Sequence, residues 1–273
     1  VPSADISLVV DVLPVVDVLP VVDVLPVVDA PPAACADAAG LVRALRAPRP
    51  APDGVALTRE AQPQLWREVD DLADRLGATP PVSLRLVHPP TAGSGPAPHG
   101  WGLVLGHPLL VRLTAAELRS VLAHTLARHR HTGEPGSAAL VAVHERLEAV
   151  YDQSTGLVSW LLWPLRWVHA AAMGYVERRW SEQADQLSAA VTTPRAAASA
   201  LRRATELEIV WEVFEAEYLS LFASLGRRAS LAEGLRRLEE AARPDLARAA
   251  EEALTEEKPG WTDAHATTAD RIA

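Results

Sequence analysis

The stretch "SVLAHTLARHRHTG", residues 120–133, decides how this chain is read. Just before it, Thr114 and Glu117 stand three apart, the spacing at which the two side chains cap a helix start reciprocally. Leu118, Val121, Leu122 and Leu126 then recur at helical spacing and form one apolar face. Gly133 and Pro135 stop it. The pattern predicts a helix over 114–131. On that helix His124 and Arg128 share a face, whereas Thr125 and His129 are each turned about 100° from the residue before. His129 and His131 sit where cations suit the helix dipole and are read as a basic, solvated helix end.

Outward from this helix the elements follow in order. "PVSLRLVH" alternates like a strand, and "GWGLVLGHPLLVRL" reads as a second strand or hairpin. Earlier, "LTREAQPQLWREVDDLADRLG" offers Thr58 as N-cap, a stripe of Leu65, Val69, Leu72 and Leu76, and Gly77 as stop. Residues 137–243 carry a nearly continuous helical pattern, interrupted at Gly156, Pro164, Pro194 and Gly226. The expected class is α+β, predominantly α-helical, with a small sheet before the histidine-bearing helix. Within the helical half, "GLVSWLLWPLRWVHAAAMGYVERRW" has the length of a membrane span. Pro164 and Arg166 lie in its middle, and a central arginine costs about 2.5–3.5 kcal/mol on insertion scales, so it is not read as a clean span. Trp160, Trp163 and Trp167 at i, i+3, i+7 are expected to pack in the core, with a partner groove or membrane-surface face as the next reading. "HERLE", from His144, opens like a zinc motif but has no second histidine, and is read as an exposed helix face.

The N-terminus is a repeat. Residues 9–14, 15–20 and 21–26 each read VVDVLP, and residues 27–32 read VVDAPP. Proline every sixth residue forbids a helix, while Val and Leu favour extended backbone. Two readings stand side by side, a plain tail and a strand that docks on a partner. The division is therefore a repeat segment at 1–34, a Pro/Ala-rich linker at 35–56 and a folded domain at 57–273. The net charge of −9 argues against a general nucleic-acid surface. The single cysteine, Cys35, has no internal partner, which fits a reducing, cytoplasmic setting. Lys258 is the only lysine; with the alanine and proline load, this usage fits a high-GC bacterial genome.

Three blocks in order carry a resemblance. "LTAAELRSVLAHTLARH" looks like L-T-x-x-E-L-x-x-V-L-A-H-E-x-x-H; "RRWSEQADQLSAA" looks like R-R-x-E-x-x-A-D-x-x-A; "DAHATTADRI" matches the spacing of D-[ST]-H-P-P-x-x-x-R-I through Asp263, His265, Arg271 and Ile272. Together they resemble the HtpX-like zinc metallopeptidases, the family that includes the CaaX-prenyl and Oma-type endopeptidases. The resemblance covers about residues 57–273 and implies a zincin-like metallopeptidase fold. In that family both histidines of the first motif and the glutamate of the second hold zinc, and the glutamate of the first is the general base.

Carried over position by position, the chemistry is missing. His124 keeps the first ligand position, and Asp185 is retained in the second block. Thr125 replaces the base, Arg128 the second histidine and Ser181 the third ligand. A guanidinium stays protonated and repels a dication. Arg128 is instead expected to stand in for the ion, held by Asp185 or Glu182, unless it merely reaches water. The expected pocket comprises His124, Arg128, Glu182, Asp185 and His265, with no metal and no catalytic residue. The resulting reading is a catalytically inactive pseudopeptidase that binds peptide or protein by strand addition. Its partner is its own repeat, in cis or in a second copy, or an active peptidase. The rivals are an active zinc endopeptidase with a rearranged ligand set and a membrane-peripheral adaptor.

Overall fold

The computed structural model describes residues 54–132, 156–219 and 230–256, together with positions 137, 140, 141, 143, 144, 147, 148, 268 and 271. The repeat, most of the linker, Asp263 and His265 lie outside the described residues.

A four-stranded mixed sheet comes first: β1 (Val55–Ala56), β2 (Ser83–Val87), β3 (Ala92–Ala97) and β4 (Gly100–Gly106), in the order β1-β2-β4-β3. β1 pairs with β2 through Val55 and Ala56, so the folded body takes in the last two residues that the sequence reading assigned to the linker. β2 and β4 are parallel, with Leu84 beside Leu103 and Leu86 beside Leu105. All four of these leucines are buried, which is why the alternation of β2 is legible in sequence. Among the described residues, β3 lies outside β4 as the antiparallel edge strand. Its sequence, AGSGPA, has no β-branched residue, so nothing in it signals a strand. Gly106 ends β4 where a side chain is excluded: a Cβ there would stand 2.1 Å from the carbonyl oxygen of Pro89.

The first helix, α1 (Pro63–Leu76), buries Leu65, Val69, Leu72 and Leu76 as the stripe predicts, and Trp66 beside them. Burial of such side chains contributes about 1.5–3 kcal/mol each. Gly77 stops the helix in the left-handed conformation, φ 61°. The start differs from expectation. Pro63 opens the helix, and Thr58 instead closes a preceding turn, accepting from the Ala61 amide at 3.2 Å. Another difference follows β4, where "HPLLVR" forms a short helix, α2 (His107–Arg112), not a hairpin. Pro108 in its first turn is compatible with a helix and closed to strand pairing.

α3 (Ala115–Thr132) carries the deciding stretch. Its capping box is present: the Thr114 amide donates to Glu117 Oε2 at 2.9 Å, and the Glu117 amide donates to Thr114 Oγ1 at 3.3 Å. Leu118, Leu122 and Leu126 are fully buried. α4 (Gly156–Val191) then runs through Pro164, where the sequence reading placed a break. α5 (Pro194–Val213) takes Pro194 into its first turn, with Thr193 as N-cap accepting from the Ala196 amide, so that proline starts a helix. A π-helical turn (Phe214–Leu219) and α6 (Leu231–Glu256) complete the described elements. α3 packs on α1, α4 and α5 and is the central helix of the body. The class is therefore α+β and mainly helical, with the small sheet preceding α3.

Two expectations about exposed and buried groups change. Trp163 and Trp167 are 61% and 52% exposed, so these two are surface residues of α4 and not core. Among the described residues, no helix is long and apolar enough to cross a membrane. His129 is not a solvated cation. It stacks on Trp101, ring centroids 3.7 Å apart at 20°. Burial there pulls its pKa down to about 4. The exposed cation of this helix end is Arg130, which donates to the Leu76 carbonyl at 2.8 Å, at the C-terminus of α1.

Candidate functional site

The site lies where α3 crosses α4. Ser120 and Ser188 fix the crossing from inside the core. The Ser188 hydroxyl donates to the Ser120 carbonyl at 2.9 Å, which leaves the Ser120 hydroxyl to donate to Ser188 Oγ at 3.0 Å. One turn along α3 from Ser120, His124 Nδ1 stands 2.8 Å from Asp185 Oδ1, an ion pair when the imidazole is protonated. The ring does not point its N–H well enough for a good hydrogen bond, so the contact is electrostatic before it is directional.

The bidentate partner of Asp185 is Arg271. Its Nε and Nη2 reach Oδ2 and Oδ1 at 2.8 and 3.0 Å, a bidentate fork. Burial alone would raise the Asp185 pKa, but His124 and Arg271 together hold it down at about 2. The carboxylate is therefore a fixed negative charge, part-buried at the cavity floor.

Arg128 is built differently from the sequence expectation. It pairs with Glu177, Nη2 to Oε1 3.7 Å, and does not line the cavity beside His124. The reason is helix register. Glu177, Ser181 and Asp185 recur at i, i+4, i+8 and form one stripe of α4. With the two helices antiparallel, His124 meets the Asp185 end and Arg128, one turn on, is drawn to the Glu177 end. Burial lowers the Arg128 pKa, Glu177 opposes that, and nearby Arg271 adds to it. Glu182, placed in the pocket by the sequence reading, is exposed and outside the cavity lining, because it is one step off the stripe.

The other two positions, at which the resemblance implies a base and a ligand, are internal. Thr125 is buried and its hydroxyl donates to the Val121 carbonyl at 3.0 Å. Ser181 is 1% exposed, packed in the helix crossing. What remains open is a cavity of about 260 Å³. Leu109, Val121, Ala200, Leu201 and Ala204 give it apolar walls, while His124, Asp185 and Arg271 give it a charged floor. Pro90, Thr91 and Ala92 form its rim, so the start of edge strand β3 borders the opening.

Sequence reasoning brought His124 and Asp185 together correctly in space. It left out Glu177 and Arg271. Glu177 was available from the four-residue spacing to Ser181. Arg271 was available only through the C-terminal block, since it lies 86 positions from Asp185. Comparison with known protein families, with curated proteins and with solved structures gives no match.

Proposed function

We propose that this chain has the frame of an HtpX-like, zincin-type metallopeptidase, has exchanged the metal for ion pairs, and works by binding an extended peptide beside His124. The observation that carries this reading is the double ion pair along the α3–α4 crossing. Arg128, paired with Glu177 one turn from His124, puts a permanent cation in place of the second imidazole, and Arg271 holds Asp185 as an ion pair beside His124, an arrangement that disfavours a dication along this crossing. Thr125 offers no base near neutral pH, and its hydroxyl already donates within the helix.

The cavity supports a peptide over a whole small molecule. Its volume of about 260 Å³ lies below the roughly 300–1,000 Å³ of pockets that enclose such ligands. It is of a size for one or two aliphatic side chains. β3, the sheet's last strand among the described residues, offers an edge to which an extended segment can add. The VVDVLP repeat offers Val and Leu side chains with a sequence preference for extended backbone, and its three copies, followed by VVDAPP, raise the effective concentration at one site. The partner is thus the chain's own repeat, in cis or from a second copy, and an active peptidase displaying a similar segment is the competing occupant. The exposed Trp163, Trp167 and Val168 support peripheral membrane contact as a second reading, tested by flotation with liposomes.

The test is fluorescence anisotropy with a labelled VVDVLPVVDVLP peptide. A chain lacking residues 1–32 should bind it more tightly than the full chain, because the resident repeat no longer competes. Ala204→Phe, which fills the cavity, should weaken binding at least about tenfold, or about 1.4 kcal/mol. Equal binding by both chains, unaffected by Ala204→Phe, would refute the proposal.

A further inference from the structure

A second group of donor side chains lies away from this cavity. His144 and Glu148 are four apart at helical positions, and His169 comes from α4. One ligand atom of each lies within 4.8 Å of the others, and all three residues are half-buried. His144 Nδ1 and His169 Nε2 face each other at 2.8 Å, with ring centroids 5.0 Å apart. His144 and Glu148 of "HERLE" are therefore not on the exposed face that the sequence indicates. The missing second histidine arrives from 25 residues further on.

The geometry is close to that of a metal centre. Zinc–nitrogen bonds of about 2.0–2.1 Å at angles of 90–109° separate two ligand nitrogens by about 2.9–3.4 Å. The observed 2.8 Å needs an opening of a few tenths of an ångström. Two imidazoles and one carboxylate suit borderline divalent ions such as zinc, cobalt or nickel, not magnesium or calcium, which take oxygen donors. Half-burial leaves the outward coordination positions to water. Arg166 Nη2 stands 3.4 Å from Glu148 Oε2, a long contact that competes for the carboxylate.

We propose that His144, Glu148 and His169 form a site for a divalent transition metal, which clips the 144–148 helical stretch to α4. This site is independent of the peptide reading and shares no residue with the His124 cavity.

The experiment uses untagged, metal-stripped full-length chain titrated with Zn²⁺ by calorimetry and with Co²⁺ by absorption. One equivalent should bind, and the Co²⁺ spectrum should show ligand-field bands without a thiolate charge-transfer band. His169→Ala and Glu148→Gln should each weaken binding by more than about 100-fold, beyond the 10–100-fold cost of losing an outer-shell partner. Arg166→Gln should tighten it by freeing the carboxylate, a gain that a misfolded variant does not produce. Matching metal-free melting curves check that the variants fold. Absence of saturable binding in both wild type and Arg166→Gln, or full binding in His169→Ala, overturns the assignment.

Discussion

The His124 cavity and the His144 cluster are built on a similar plan, and they differ in the charges set around the histidine. Each takes two side chains four apart on one helical stretch and sets them against α4. At the cavity, the residue one turn after His124 is Arg128, and Arg271 forks onto the carboxylate that remains. At the cluster, the residue one turn after His144 is Glu148, and α4 answers with His169. The first arrangement is closed by its own cations. The second presents three donors that converge. A motif's opening letters are therefore a poor guide to chemistry; the charge of the residue one turn away, and what the opposite helix offers it, decides.

That comparison can be broken at the cavity first. Arg271→Ala strips the fork from a mostly buried carboxylate and should cost about 3 kcal/mol at pH 7, measured by denaturant unfolding. The cost should depend on pH with a definite sign. Asp185 is held at about 2, below its ordinary 3.8, so the stability it contributes is complete above about pH 4 and fades as pH falls toward 2. The gap between wild type and Arg271→Ala should therefore narrow over that window. An equal cost at pH 7 and pH 2.5 would mean that the fork does not hold Asp185.

A smaller effect sharpens the contrast between histidines. His129 titrates at about 4 instead of 6.5, so its neutral, Trp101-stacked form is the folded form. Its contribution is whole above pH 6.5 and is lost as pH falls through 4, at a cost of about 2 kcal/mol once partial exposure is allowed for. His129→Phe keeps the stack and removes the titration. Its unfolding midpoint should change less than that of wild type between pH 6.5 and 4, and an unchanged slope would contradict the stacked, neutral ring.

Local pattern made much of the fold legible. The Leu65–Val69–Leu72–Leu76 stripe, the Gly77 stop, the Thr114–Glu117 cap and the alternation in β2 are all short-range signals, and each is found where expected. What was illegible depended on distance or on tertiary support. β3 is a strand because β4 pairs with it, not because AGSGPA favours one. Pro164 is carried inside α4 against its own preference. Of the site, the helix face bearing His124 and the position of Asp185 could be read directly. Arg271 and His169 could not, because their partners lie 86 and 25 positions away.

Zinc bound per chain, measured by equilibrium dialysis of the untagged His169→Ala variant, tests the central claim most directly. With the cluster disabled, the His124 cavity is the metal position that the family resemblance leaves to test. The account predicts no stoichiometric zinc in that variant and no cleavage of a casein-like substrate. One equivalent of zinc that disappears when His124→Ala is added, accompanied by chelator-sensitive proteolysis, would contradict it.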